Sequence, residues 1–411
     1  MSRTKGSTNK PKNTNLKVLS FDRQIEGSAI NRNSNQGWVN WGVKNNYPDL
    51  LLDLFNQSPT HHSAINFGVQ AIVGDGVDYD AMQMDRSQLI PNYHESWDDI
   101  IRNISLDYML YGSFALQVIR NKDGQTYSFW HTPLHKVRWA PYDEDGQIPY
   151  YFVCSDWTKV NQVGATKLRA FDMQTEIKSG EPYLYVYRSY SPTVEYYTEP
   201  HYIAGIKAIQ AEVEHLNYDF KATLNSFVPS GMLVLPEQSD DEQRQTIIKE
   251  ISAMFQGSNN ANALMVTFRN NVDENKPEFV PFATNTTNVN LYDASNVRTQ
   301  SRILAAHQIS DEGLIGLPSI KSTGFSSQAA KLKNAFAVYL KLVGNYNRNI
   351  IIGTINHMLK MNGVEQEIIM KPFDFDIDDE KEDVEPVNKE QQDTPEVENN
   401  EINNNTEEKV E

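Results

Sequence analysis

A chain of 411 residues with 39% hydrophobic and 22% charged side chains is long enough for two or three compact units. It has no apolar run of the roughly 18 residues that a membrane span needs and no secretory apolar segment at its start, so a soluble, cytoplasmic product is expected. The single cysteine, Cys154, excludes an intrachain disulfide and a cysteine-rich metal site, and the net charge of −17 excludes a strongly basic nucleic-acid binder.

The charge is unevenly spread. Asp374 to Glu411 carries sixteen acidic and three basic residues, while Met1 to Lys17 carries five basic residues and no acidic one. The body between them is therefore about −9. Residues 1–35 are rich in Ser, Asn, Lys and Gly and are expected to form a disordered basic arm. Gly37 to Tyr47 (GWVNWGVKNNY) supplies two tryptophans, and Leu50, Leu51, Leu54 and Phe55 follow with helical spacing. A second helix is expected from Pro59 to Val73, closed by Gly74 and Gly76. A third runs from an N-cap at Ser96, with Asp98 and Asp99 in its first turn, to Leu110 and the stop at Gly112.

Strand signals come next. Phe114 to Arg120, a turn at Asn121 to Gly124 (NKDG), and Thr126 to Trp130 form a hairpin pattern. Val137 to Ala140 and Tyr150 to Val153 form another around a turn at Asp143 to Gly146. Residues 158–181 are polar and are expected to be loop or edge, and Tyr183 to Tyr187 (YLYVY) is a strand.

Tyr202 to Pro236 reads YIAGIKAIQAEVEHLNYDFKATLNSFVPSGMLVLP. Ile206, Ile209, Val213, Leu216, Phe220 and Leu224 step by three and four, together with Tyr202 and Phe227, which places them on one stripe of a long amphipathic helix. Pro229 and Gly231 stop it, and Met232 to Leu235 suits a buried strand. Asp240 or Asp241 would cap a short helix to Gly257. Leu264 to Phe268 is the next strand, Phe279 to Phe282 is extended, and a helix opens at Asp293 or Ser295. Two helices thus bracket a small β-α-β insert. Gly313 to Phe325 (GLIGLPSIKSTGF) is a loop. Ser326 to Met361 is a second long helix, with Leu332, Phe336, Tyr339, Val343, Tyr346, Ile350, Ile355 and Leu359 on one face and Gly344 and Gly353 as kink sites. Ile368 to Phe375 is a last strand, and 374–411 is expected to be a disordered acidic tail.

Catalytic grammar is absent: there is no phosphate-cradling Gly-rich loop with Lys and Ser/Thr, no HExxH, no GxSxG and no CxxC pair. His131 and His135 are separated by Pro133, which denies them a shared helix face, and His61 and His62 point different ways on a helix. Both pairs are read as packing or surface residues rather than metal ligands. Asp143–Gly146 (DEDG) and Asp75–Asp78 (DGVD) lack the glutamate that closes a calcium loop and read as turns. Cys154 reads as a small buried residue. All six tryptophans fall in the N-terminal half, which favours one packed core over a base-stacking surface. No cofactor and no metal is expected.

In segment order, Trp38 to Asp376 resembles tailed-bacteriophage portal proteins, the rings through which DNA enters and leaves a capsid. The residues that carry the resemblance are NNYPDLLLDLFNQSPTHHSAINFGVQAIVGDGV, then YGSFALQVIRNKDG, then the long helix broken at VPSG before MLVLP. The resemblance implies an α+β fold with an α/β wing (36–200), a stem helix (201–228), a small α/β clip (229–293), a second stem helix (294–312), a tunnel loop (313–325) and a long kinked helix with a short crown (326–373). It implies a non-enzymatic homo-oligomeric ring, usually dodecameric, at a capsid vertex of the virion after assembly in the host cytoplasm. Double-stranded DNA would pass through without sequence-specific binding, which a mildly acidic body allows because a basic lining would hold the phosphates. Terminase large subunit, head-tail adaptor, and capsid or scaffold protein are the implied partners, and no membrane is involved. Carried onto this chain, Ser319, Ile320, Lys321, Ser322 and Thr323 would stand at the narrowest point of the channel, near Lys331 and Lys333, and the stripe from Ile206 to Leu224 would pack between subunits. For the lysines, a solvated helix start and DNA contact both stay open. Two other classes stay open too: a soluble α/β hydrolase or transferase using Asp98, Asp99 and a histidine, and another minor capsid or connector protein.

Overall fold

The structure, a computed structural model, describes residues 36–373 apart from 173–176, 179, 193, 225–230, 237–241, 244, 248, 251–263, 270–277, 282–285 and 318–324. The expected arm, acidic tail and tunnel-loop residues Ser319, Ile320, Lys321, Ser322 and Thr323 lie outside the described residues.

Two helices open the fold, α1 (Tyr47–Gln57) and α2 (Pro59–Val73), each with a proline in its first turn, where the missing N–H costs nothing. Ser58 ends one and begins the other: its Oγ accepts the N–H of His61, while its own N–H bonds the carbonyl of Leu54. Helix α3 (Trp97–Tyr111) starts with a reciprocal capping box between Ser96 and Asp99 and stops at Gly112, whose φ of 71° is left-handed. Helices α1 and α2 pack on each other and on α3, and α3 packs on a six-stranded sheet of β1 (Ser113–Arg120), β2 (Tyr127–Thr132), β3 (Val137–Trp139), β4 (Tyr150–Val153), β5 (Thr166–Ala170) and β6 (Pro182–Arg188). Its order is β2-β1-β6-β5-β4-β3, antiparallel throughout except for the β5–β6 pair. Trp41, Trp97, Trp139, Phe114 and Phe129 fill the core between helices and sheet, essentially without exposure. A one-turn helix, α4 (Val160–Val163), precedes β5.

The expectation that 158–181 is loop or edge is corrected here. Residues Thr166–Ala170 form an interior strand, bonded to β4 on one side and β6 on the other. Of its five side chains only Leu168 is buried and Ala170 half-buried, while Thr166, Lys167 and Arg169 are exposed, so the apolar alternation that signals a strand is reduced to two residues.

Helix α5 (Ile206–Leu224) leads to a second sheet of β7 (Gly231–Pro236), β8 (Leu264–Arg269) and β9 (Glu278–Pro281), and α6 (Thr286–Ala306) returns from it. Strand β7 is central, parallel to β8 and antiparallel to β9. A parallel pair needs a crossover, and residues 242–250 are helical where described. Helix α6 starts at Thr286, seven residues before the expected Asp293, because the polar run TTNVN continues the helix that Asp293 was expected to cap.

The second long helix is α7 (Phe325–Tyr339) and α8 (Asn345–Met361), joined by a π-helical turn at Leu340–Gly344. That turn corrects the expected stripe. One residue is absorbed in the wider turn, so the buried face passes from Phe336 and Tyr339 to Asn347, Ile351, Ile355, Met358 and Leu359, and Tyr346 is left 64% exposed. Among the described residues the expected last strand, Ile368–Phe375, shrinks to one bridge, Val77 to Met370.

Candidate functional site

Helices α5 and α6 form an antiparallel hairpin. At its near end the chains almost touch: a Cβ built on Gly205 would lie 2.5 Å from the Cβ of Ala306. Ile206, Ile209 and Val213 are buried against the body, as the stripe requires. Further along the same stripe Leu216 is 40% and Phe220 65% exposed, with Tyr218 beside them at 59%. The side chain of Leu224 lies outside the described residues. The apolar stripe therefore runs on past the part that its own core covers. Along another face, Ala204, Gly205, Ala208 and Ala211 of the α5 end meet Ala305 and Ala306 of α6 around a groove of about 490 Å³, with Lys207 and Arg302 at its rim.

Two buried polar contacts fix the hairpin to the body, and sequence reasoning missed both. The first is Glu212 of α5, whose carboxylate accepts the hydroxyls of Ser58 and Thr60 at the start of α2. All three residues are buried. The second joins α2 to the residue just past α6: His61 Nδ1 and His307 Nε2 are 2.9 Å apart. Tyr202 stacks on His307 with centroids 5.0 Å apart and meets His61 edge-on at 4.4 Å. Burial and the neighbouring ring push the His61 pKa down to about 2, and burial with His201 pushes His307 down to about 3. The sequence held one weak signal, a glutamate adjoining the apolar stripe between Ile209 and Val213. Nothing in it paired two histidines 246 positions apart.

At the base of the expected tunnel loop, Asp311 caps a short 3-10 turn, Glu312–Ile315, by accepting the N–H of Gly313. Its carboxylate also lies 2.6 Å from Lys331 Nζ, which holds the carboxyl below its usual range and raises the ammonium. Leu332 presses on the turn so closely that a Cβ at Gly313 would stand 2.9 Å from it. Lys333 is half-buried.

The remaining candidates have ordinary surroundings. His131 Nε2 bonds the Asp107 carboxylate at 2.9 Å, and His135 lies in a 3-10 turn away from it in role, its pKa lowered first by burial. His62 stacks on Phe55 at 4.2 Å. Asp143 and Asp78 accept backbone N–H groups of their own turns. Asp98 accepts from Val77, Tyr79 and Arg86, while Asp99 serves the α3 cap. Cys154 is buried with its thiol toward the Asp156 carbonyl. Trp41, Trp97, Trp139 and Trp157 share the core; Trp130 instead meets exposed Tyr93 at 4.8 Å. Among the described residues no group of three or more His, Cys, Asp or Glu could hold a metal ion, and no helix is long and apolar enough to cross a membrane.

No protein-family model and no curated protein matches the sequence. Solved structures do match. A chain in the neck of the native gene transfer agent particle, computed with C12 symmetry, is 19% identical over 82% of this chain and 86% of its own, with a TM-score of 0.52. A chain in the neck of the empty particle, computed with C6 symmetry, is 17% identical over 81% and 85%, with a TM-score of 0.51. An HK97 family phage portal protein from Corynebacterium diphtheriae is 11% identical over 69% and 84%, with a TM-score of 0.39, below the level at which a fold is shared. The fold is thus shared with a chain found in the neck of the gene transfer agent particle. It agrees with the portal resemblance in the sequence.

Proposed function

We propose that this chain is a portal subunit of a tailed phage or related particle, assembling head-to-tail into a ring, with twelve copies as the expected number, at one vertex of the virion. The observation that carries this reading is the stripe on α5: it is buried at Ile206, Ile209 and Val213 and laid open at Leu216 and Phe220. A subunit in a ring buries such a surface against its neighbour. The shared fold with a particle neck of C12 symmetry supports it. In this reading residues 36–200 are the wing, 201–228 and 294–312 the stem, 229–293 the clip that meets terminase and head-tail adaptor, 313–325 the tunnel loop and 326–373 the long helix with a short crown. DNA passes the loop during packaging and ejection, with Lys321, Lys331 and Lys333 nearby. The chain has a mechanical role and no catalytic one.

The test is assembly of Leu216→Glu and Phe220→Glu variants, followed by sedimentation velocity. Both side chains are exposed in the single chain, so its fold tolerates the charge while the ring does not. Rings that form as readily with both glutamates as without them would remove the support.

A further inference from the structure

His61, Tyr202 and His307 come from three separate elements, α2, the turn before α5 and the residue after α6, and they meet where both hairpin helices join the body. The two imidazoles face each other nitrogen to nitrogen, so one donates and the other accepts. With either tautomer His61 Nε2 is left buried without a hydrogen-bond partner. With both rings protonated, each of the facing nitrogens carries a hydrogen, so the bond between them is lost and two like charges stand against each other. We propose that this joint is a proton-operated hinge, closed while His61 and His307 are neutral and released when both are protonated, freeing the α5–α6 hairpin to move against α2.

Among the groups named around the pair, the one carboxylate is Glu212, and it is bonded to hydroxyls and not to either imidazole. On α2, His62 is stacked on Phe55 and Thr60 donates to Glu212. On α5, the Glu212 carboxylate already accepts two hydroxyls, from Ser58 and Thr60. Before α5, His201 is itself buried with a lowered pKa. From α1 and α3, Tyr47 and Tyr111 approach Tyr202, and burial raises all three phenols, so they stay neutral. From the α7–α8 side, Tyr339 and Tyr346 line a cavity of about 160 Å³ that also touches His201 and His307. Once open, each histidine would titrate near 6.5, so the open population should gain up to two protons' worth of weight, roughly 10³-fold between pH 7.5 and 5.0.

Hydrogen exchange by mass spectrometry on the full chain tests this, after correction for the intrinsic pH dependence of exchange. Peptides covering 202–213 and 300–309 should open about 10³-fold more at pH 5.0 than at pH 7.5, with a slope near two protons below pH 6, while α3 peptides keep their protection. His61→Gln with His307→Gln, which can bond but cannot titrate, should abolish the rise. If that variant does not fold, the wild-type slope decides alone. A slope below one, a rise that survives in the double variant, or equal loosening of α3 would each overturn the hinge.

Discussion

Lys331 Nζ stands 2.6 Å from the Asp311 carboxylate, across the base of the loop that the portal reading places in the channel. The lysine's charge is thus already engaged within its own chain. Asp311 also caps the Glu312–Ile315 turn, so the two substitutions differ in kind. Asp311→Ala should lower stability by about 1 kcal/mol through the lost cap. Lys331→Met should shift the melting temperature less, because its ammonium is solvent-exposed. In a double-mutant cycle read by thermal melting, Lys331→Met should cost nothing further once Asp311 is alanine; full additivity would show that the pair is not coupled.

Glu212 is the most consequential carboxylate of the hairpin. Replacing it with alanine strands the Ser58 and Thr60 hydroxyls and removes two charge-assisted bonds. Glu212→Ala should therefore lower the unfolding free energy by about 3 kcal/mol, and Glu212→Gln by less, since an amide oxygen still accepts. Urea titration checks the order. Equal, small effects would mean that the buried contact contributes little.

Acid should destabilise the fold well before its carboxylates protonate. His61 and His307 have folded pKa values near 2 and 3, below the ordinary 6.5. A lowered pKa means that the unfolded chain binds the proton more readily, so their contribution is fully present above pH 6.5 and is lost as pH falls toward the folded values. Each group weakens stability by about 1.4 kcal/mol per pH unit in that window. Thermal denaturation at pH 7.5, 6.0 and 5.0 should show a steepening loss that His61→Gln with His307→Gln removes. A flat profile from pH 7.5 to 5.0 would contradict the assignment.

Two glycines should respond in opposite directions. Gly205→Ala drives a methyl group into Ala306, 2.5 Å away, and should cost about 1–3 kcal/mol as the helices part. Gly353 lies inside α8 with nothing within 4 Å of its Cβ position, so Gly353→Ala should stabilise by about 0.5–1 kcal/mol. Melting temperatures of the two variants decide it, and a gain for Gly205→Ala would show that the close approach is not tight.

Local chemistry made much of the fold readable. Pro59 and Gly74 bound α2 where expected, Ser96 caps α3, and the Asn121–Gly124 turn joins β1 to β2. What stayed hidden depends on distant partners. Strand β5 turns only Leu168 and the small Ala170 toward the core, and is a strand because β4 and β6 flank it. The π turn at Leu340–Gly344 ends at Gly344, one of the two glycines expected as kink sites, but that it moves the buried face by one position was not legible. The α5 stripe was visible as a stripe, but not that Val213 ends its contact with the body and that Leu216 and Phe220 lie open. Glu212 and the His61–His307 pair exist only once α2, α5 and α6 are together.

The most direct test of the ring is the mass of the purified chain in solution, by light scattering across a size-exclusion peak with negative-stain imaging of that peak. A portal subunit should give closed rings with a central hole and a mass near twelve times 46.9 kDa. A stable 46.9 kDa species at every concentration, with or without scaffold protein, would contradict the account.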